Sequence, residues 1–127
     1  MMKELLKEIV AIPSISRDEK AVADFLEARL AAMGLPVQRK GNNLWCCCGD
    51  DPSKPTILLN AHLDTVKPVA TWSMDPFVPV EKDGRIYGLG TNDDGASLVM
   101  AVNAADVQSV KRAKKMILVQ PHIQRNG

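Results

Sequence analysis

The sequence predicts an α/β fold in which a mainly parallel sheet is flanked by helices. Apolar residues recur at helical spacing in two stretches before residue 35, and the apolar run 56–61 has the composition of a buried strand. From there to residue 120, predicted strands and helices alternate. Such alternation is typical of parallel sheets, because a helix carries the chain back to the edge where the next strand begins. The 127 residues are enough for one domain.

Composition and charge exclude several classes of protein. The net charge of +1 gives no basis for binding nucleic acid or an anionic membrane. No apolar run approaches the ~20 residues of a transmembrane helix, and the start, MMKELLKEIV, lacks the features of a signal peptide. The consecutive cysteines 46–48 match no zinc motif and are expected to be reduced. We therefore expect a cytoplasmic protein.

Two helices are predicted in the first 35 residues. The first has an apolar stripe and ends before Pro13. Ser16 and Glu19 have the spacing of a capping box, which predicts the start of a second helix. Gly34 is placed to end that helix in a left-handed conformation. The stripes consist of Leu5, Leu6, Ile9 and Val10 in the first helix, and of Val22, Phe25, Leu26, Leu30 and Met33 in the second.

Extended segments follow. Residues 37–40 and 44–48 flank a Gly-Asn-Asn turn and predict a hairpin. The run 56–61 is mostly apolar, which predicts a strand covered on both faces. The stretch 67–80 carries three prolines and predicts a long ordered loop.

The remaining elements are predicted from residue 83 onward. Asp83-Gly84 is a tight-turn signal that leads into a short strand at 85–87. A helix is expected at about 95–109 and a strand at 116–120. The basic residues between them are interpreted as a solvated helix end, which their charge suits. They are Lys111, Arg112, Lys114 and Lys115.

The first candidate site lies at the end of the predicted strand 56–61. His62 and Asp64 are two positions apart, so both face the same way on an extended segment. Ligands of α/β sheets collect at such strand ends. A carboxylate that accepts the proton of one imidazole nitrogen leaves the other nitrogen free for a metal. A surface histidine without function is the competing interpretation, because a single His-x-Asp is common by chance.

The second candidate site is the glycine-containing segment before the predicted helix. Gly88-x-Gly90 resembles the start of a dinucleotide fingerprint, whose third glycine would fall at position 93. Asp93 stands there and would repel phosphate, so mononucleotide binding is the weaker alternative. The pair Asp93-Asp94 also suits a helix start by charge alone. Two carboxylates at this junction equally offer oxygen ligands to a divalent metal.

Three motifs together resemble a known family. HLDTV at 62–66, W-x-x-DPF at 72–77 and DGRIYG-x-G-x-x-D at 83–93 occur in the order found in dinuclear-zinc amidohydrolases and exopeptidases. This family includes acetylornithine deacetylase, succinyl-diaminopimelate desuccinylase, aminoacylase and carboxypeptidase G. The resemblance extends to about residue 110. It implies a three-layer mixed sheet, mainly parallel and flanked by helices, of the zinc-exopeptidase type.

The resemblance also implies an activity. Members hydrolyse the amide bond of an N-acyl amino acid or a short peptide with a zinc-activated water. A complete site holds two Zn²⁺ ions, for which cobalt can substitute, and complete members are often homodimers. No nucleic-acid or membrane partner is implied.

Individual roles follow from the same resemblance. His62 would ligate one zinc and Asp93 would bridge both. Asp64, counted among the catalytic residues, would orient His62 from behind, and the peptide after Asp93 is expected to be cis. The side chains of Trp72, Pro76 and Phe77 either shape the approach to the site or only pack the loop.

The sequence departs from the family pattern in two places. Leu89 replaces an arginine and Gly95-Ala96 replaces Lys-Gly of several members, a variation that resembles deacetylase-like branches. The Glu-Glu pair that supplies a general base and a zinc ligand is missing, since no glutamate follows Glu81. His122 is interpreted as a tail residue.

Two hypotheses about the whole chain follow. We expect residues 1–127 to be the amino-terminal part of a catalytic metallohydrolase domain, without the lid and dimerisation domain and inactive alone. The alternative is a non-catalytic binding or subunit module that retains part of a metal site.

Overall fold

The computed structural model describes residues 2–15, 17–48, 53, 55–70, 72–106 and 115–120. The predicted helices and strands are confirmed within this part of the chain. The helices are α1 (Met2–Val10), α2 (Lys20–Ala32) and α3 (Ala96–Asp106). The strands are β1 (Val37–Lys40), β2 (Asn43–Cys48), β3 (Thr56–Asn60), β4 (Val80–Lys82), β5 (Arg85–Tyr87) and β6 (Lys115–Gln120). Residues 107–114 and His122, which carry parts of two predictions above, lie outside the described residues. Lys115, predicted as part of a helix end, is instead the first residue of β6.

The apolar stripes of α1 and α2 pack into one core with α3. Leu26 and Leu30 of α2 are fully buried, and burial of a leucine side chain contributes about 1.5–3 kcal/mol. Gly34 has φ +80°, so the predicted left-handed end of α2 is confirmed. The buried members of the two stripes are Leu5, Ile9, Val10, Val22, Leu26 and Leu30. None of the described helices is both long and apolar enough to cross a membrane.

The start of α2 differs from the prediction. The helix begins at Lys20, directly after Glu19, which makes no side-chain capping bond. Instead, Glu19 Oε1 accepts a hydrogen bond from the Arg17 backbone N–H at 2.8 Å. Ser16 lies outside the described residues. The glutamate therefore closes the turn before the helix, and its predicted pairing with Ser16 stays a prediction.

The sheet is mixed, with strand order β1-β2-β6-β3. Strands β3 and β6 are parallel, whereas β1–β2 and β2–β6 are antiparallel. The predicted mixed α/β sheet is confirmed, and its described part contains one parallel pair and two antiparallel pairs. The two-residue turn between β1 and β2 forces an antiparallel pair, and only the longer connection through α3 returns the chain in the same direction.

The described helices cover one face of this sheet. Leu44 and Cys46, alternate residues of β2, are fully buried in the same cluster as residues of all three helices. Cys47 is exposed and Leu58 of β3 is 60% exposed. The predicted covering of 56–61 on both faces is thus not observed, and two of the three expected layers lie within the described residues. An apolar strand sequence predicts that the strand is buried on both faces, but it does not identify the segment that covers each face.

A second, two-stranded sheet precedes the glycine segment. Its turn has φ +54° at Asp83 and +73° at Gly84, which confirms the predicted tight turn. Glu81 of β4 forms ion pairs with Lys3 at 2.8 Å and with Lys7 at 2.6 Å. These hydrogen bonds lower the pKa of Glu81 to about 2. The hairpin is thereby joined to α1.

Candidate metal centre

The first half of the site follows β3. After Asn60 the chain stays extended, and the neighbouring segment holds it in place: Ser14 Oγ donates to the Leu63 carbonyl at 3.1 Å, and the Thr65 N–H donates to the Ser14 carbonyl at 2.8 Å. Ser14 is buried. One hydrogen bond on each side of Asp64 therefore fixes the backbone that carries the candidate ligands.

His62 and Asp64 lie together, as their spacing predicts. His62 Nδ1 is 3.1 Å from Asp64 Oδ1 and 3.0 Å from the Asp64 backbone carbonyl. The Asp64 side chain is 3% exposed and that of His62 is 12% exposed. The hydrogen bond to the backbone carbonyl favours the tautomer that carries its proton on Nδ1, and this tautomer directs the Nε2 lone pair outward.

The second half of the site is the turn between β5 and α3. Gly90 has φ +84°, and its carbonyl accepts a hydrogen bond from the Gly95 N–H at 2.9 Å, five residues ahead. Within this wide turn, Asp93 (φ −115°, ψ 91°) and Asp94 (φ −126°, ψ 21°) leave helical geometry. The peptide between them is cis, as the family resemblance implies.

The fold brings the two halves into contact. His62 Nε2 lies 2.9 Å from Asp93 Oδ1, across 31 positions of sequence. The Asp93 side chain is 74% exposed, so its carboxylate is open to solvent. A neutral imidazole has one N–H and one lone pair, but both ring nitrogens of His62 face oxygen acceptors. Either a second proton or a cation is therefore needed to satisfy both contacts.

This donor set fits a zinc-type ion. Imidazole nitrogen and carboxylate oxygen both bind zinc at about 2.0–2.2 Å, so two tetrahedral ligands of one ion lie about 3.4 Å apart. The His62–Asp93 contact of 2.9 Å has the length of a direct hydrogen bond, and a separation of about half an ångström more would admit an ion between the two atoms. Among the residues that the structure describes, no group of three or more His, Cys, Asp or Glu side chains is arranged to hold a metal. The described residues thus offer two candidate donor groups, fewer than the three or four protein ligands of a zinc site.

One contact at this site was not anticipated. The His62 backbone N–H donates to Asp94 Oδ2 at 3.1 Å, so both consecutive aspartates touch the same histidine. The acidic pair itself was the only signal in the sequence. Ser14 lies in the IPSIS stretch. Its hydrogen bond to Leu63 is a tertiary contact that no local sequence pattern predicts.

The proline-containing loop contributes one of its aromatic residues. Phe77 lines the same small pocket as His62 and Asp94, together with Leu89 and Gly90. The Trp72 N–H instead donates to the Val69 carbonyl of its own loop at 3.4 Å.

The sequence and the fold both have known relatives. A succinyl-diaminopimelate desuccinylase from Verminephrobacter eiseniae is 33% identical over 122 residues, a match that covers 80% of this chain and 30% of that protein. An M20 family metallo-carboxypeptidase from Sulfolobus solfataricus superposes with a TM-score of 0.83 at 20% identity, over 95% of this chain and 30% of that one. For human carnosine dipeptidase 1 the TM-score is 0.80 at 23% identity, over 99% and 32%.

These relatives are consistent with the family resemblance that the three sequence motifs indicate. The structural matches establish the fold, and the chain spans about 30% of the length of that desuccinylase. The model of peptidase family M20/M25/M40 matches residues 58–121, half of the chain, and this stretch includes His62, Asp64 and Asp93. The chain belongs to peptidase family M20/M25/M40.

Proposed function

We propose that residues 1–127 form the amino-terminal part of the catalytic domain of a metal-dependent hydrolase. Its reaction is the cleavage of the amide bond of an N-acyl amino acid or a short peptide. The observation that carries the proposal is the 2.9 Å contact between His62 Nε2 and Asp93 Oδ1. Membership of the peptidase family and the desuccinylase relative support it.

Three side chains have roles in this proposal. His62 would hold a metal ion through Nε2, and the exposed carboxylate of Asp93 would supply oxygen ligands beside it. Asp64 would keep the ring in place, because its backbone carbonyl is hydrogen-bonded to Nδ1 and its carboxylate lies 3.1 Å from the same atom. Two bound zinc ions would lower the pKa of a water and polarise the amide carbonyl.

The general base is not supplied by a glutamate of the carboxyl-terminal half. No glutamate follows Glu81, and Glu81 itself forms ion pairs with Lys3 and Lys7. A positioned base contributes about 10²–10⁴-fold to such a rate. We therefore expect the chain alone to bind metal weakly and to hydrolyse no substrate.

The substrate class is an N-acyl amino acid with a free carboxylate. The desuccinylase relative favours an N-succinyl group, whereas Leu89 and Gly95-Ala96 resemble deacetylase-like branches and favour N-acetyl. We give the N-succinyl substrate precedence because identity over 122 residues outweighs three positions. The free cysteines Cys46 and Cys47 support a reducing, cytoplasmic setting.

A chimera tests the proposal. The chain replaces the corresponding amino-terminal part of the Verminephrobacter eiseniae desuccinylase, and hydrolysis of N-succinyl and N-acetyl amino acids is measured with and without zinc. We expect zinc-dependent hydrolysis that His62→Ala and Asp93→Ala each abolish, while Asp18→Ala on the surface retains it. Hydrolysis that survives both site variants would contradict the proposal.

A non-catalytic module is the second candidate. The absence of a third metal ligand among the described side chains favours it. It predicts a folded chimera that does not hydrolyse either substrate although the chain binds zinc. Mononucleotide binding is disfavoured because the exposed Asp93 carboxylate occupies the loop where a phosphate would lie.

A further inference from the structure

Asp94 joins the two halves of the candidate metal centre. Its Oδ2 accepts a hydrogen bond from the His62 backbone N–H at 3.1 Å, while the neighbouring Asp93 contacts the ring of the same histidine at 2.9 Å. One aspartate therefore holds the backbone of His62 and the next meets its imidazole. The two contacts together define where the ring lies relative to the Asp93 carboxylate.

The local backbone explains why this bond matters. Strand β3 ends at Asn60, so His62 lies beyond the last residue that pairs with β6. The bond from the His62 N–H to Asp94 connects this segment directly to the wide turn 91–95. Without this bond, the exposed contact between the His62 ring and Asp93 would join the segment 61–64 to the turn at this point. Such a contact contributes little stability because water competes for both groups.

A simpler explanation is that Asp94 serves only helix α3. A carboxylate before a helix interacts favourably with the helix dipole. However, the N–H of Ala96, the first residue of α3, is hydrogen-bonded to the Thr91 carbonyl, and the Asp94 carboxylate accepts from His62 instead. The dipole explanation requires the charge of residue 94, whereas the bond to His62 requires an acceptor oxygen.

We infer that Asp94 is a positioning residue that sets His62 against Asp93 through the His62 backbone N–H. The inference rests on the proposed metal site for its functional meaning, but the hydrogen bond can be tested without metal. Asn at position 94 keeps an acceptor oxygen and removes the charge, and Ala removes both. These two variants separate the positioning role from the dipole role.

The experiment compares the full chain with Asp94→Asn, Asp94→Ala and the control Asp75→Ala. Asp75 also accepts a backbone bond, from the Phe77 N–H at 2.9 Å, but in the proline-containing loop. Hydrogen exchange of the His62 amide is measured by NMR in the metal-free chain, and cobalt affinity is measured by titration. Thermal melting shows that each variant is folded.

We expect Asp94→Ala to speed exchange of the His62 amide at least about tenfold and to weaken cobalt binding about 10–100-fold. Asp94→Asn and Asp75→Ala should keep slow exchange of the His62 amide and most of the cobalt affinity.

Unchanged exchange of the His62 amide in Asp94→Ala overturns the inference, whatever the cobalt affinity of that variant. If Asp94→Asn speeds exchange of the His62 amide and weakens cobalt binding as much as Asp94→Ala does, the charge of residue 94 rather than its hydrogen bond is responsible. That result overturns the inference as well. If the unmodified chain binds no cobalt, the proposed metal site fails, while amide exchange still decides the role of Asp94.

Discussion

His62 Nδ1 lies 3.1 Å from Oδ1 of Asp64, a carboxylate of which 3% is exposed. A buried carboxylate is costly unless polar groups face it, and the imidazole is one such group. Because the Asp64 backbone carbonyl also lies 3.0 Å from Nδ1, rotation of the ring would break both contacts. The outward direction of Nε2 is therefore set by contacts within the chain itself.

Removal of the Asp64 carboxylate should weaken metal binding. We expect Asp64→Asn to lower cobalt affinity about tenfold and Asp64→Ala about a hundredfold, because partners behind a metal-binding histidine typically contribute 10–100-fold. Isothermal titration with cobalt measures both. Asp75→Ala, which removes a carboxylate outside the site, should retain the affinity. Equal affinity in Asp64→Ala and the unmodified chain would show that the ring needs no such partner.

A methyl group at Gly90 should disturb the turn that carries Asp93. Gly90 has φ +84°, and a Cβ there would lie 2.7 Å from Thr65 Cγ2. Gly84 has a similar φ of +73° but open space around it. We therefore expect Gly84→Ala to cost about 1 kcal/mol from backbone strain, and Gly90→Ala about 2–4 kcal/mol from strain plus overpacking.

Urea unfolding of the two glycine variants measures this difference. Gly90→Ala should also weaken cobalt binding at a temperature where the variant is fully folded, whereas Gly84→Ala should not. Equal losses of stability in the two variants would mean that the contact with Thr65 is relieved at no cost.

Local spacing was sufficient to predict one half of the site but not its supports. The i, i+2 relation places His62 and Asp64 on one side, and the family resemblance implies that Asp93 lies beside His62. The bond from His62 to Asp94 spans 32 positions, and an acidic residue before a helix has an adequate local explanation, so no sequence pattern distinguishes it. The exposure of Leu58 was missed for a related reason: strand composition does not reveal which covering layer is present.

The ion pairs of Glu81 should make the attachment of the β4–β5 hairpin pH-dependent. Lys3 and Lys7 lower the pKa of Glu81 from 4.5 to about 2 in the folded chain. Because the folded-state pKa lies below the unfolded one, the stabilisation is fully present above about pH 4.5 and is lost as the pH falls toward 2. The groups are exposed, so the effect is small.

Melting temperatures at several pH values test this attachment. At pH 6, Glu81→Gln should melt about a degree or two below the unmodified chain, and the difference should vanish as the pH approaches 2. Asp83→Asn removes a charge from the turn of the same hairpin and should show no such trend. A Glu81→Gln difference that is constant from pH 6 to 2 would contradict the assignment.

The open face of the sheet should make the isolated chain self-associate. Leu58 is 60% exposed on β3, the last strand of the described sheet, on the face opposite the helices. Edge strands with exposed apolar side chains are common sites of association.

The adjacent Leu59 points the other way and packs against the core. Leu58→Lys should therefore raise the monomer fraction in sedimentation velocity and change stability by no more than about 0.5 kcal/mol. Leu59→Lys places the same charge in the core and should unfold the chain, because burial of an ammonium group without a partner costs several kcal/mol. If Leu58→Lys associates as strongly as the unmodified chain, another surface holds the copies together, and the uncovered face of β3 is not the reason for association.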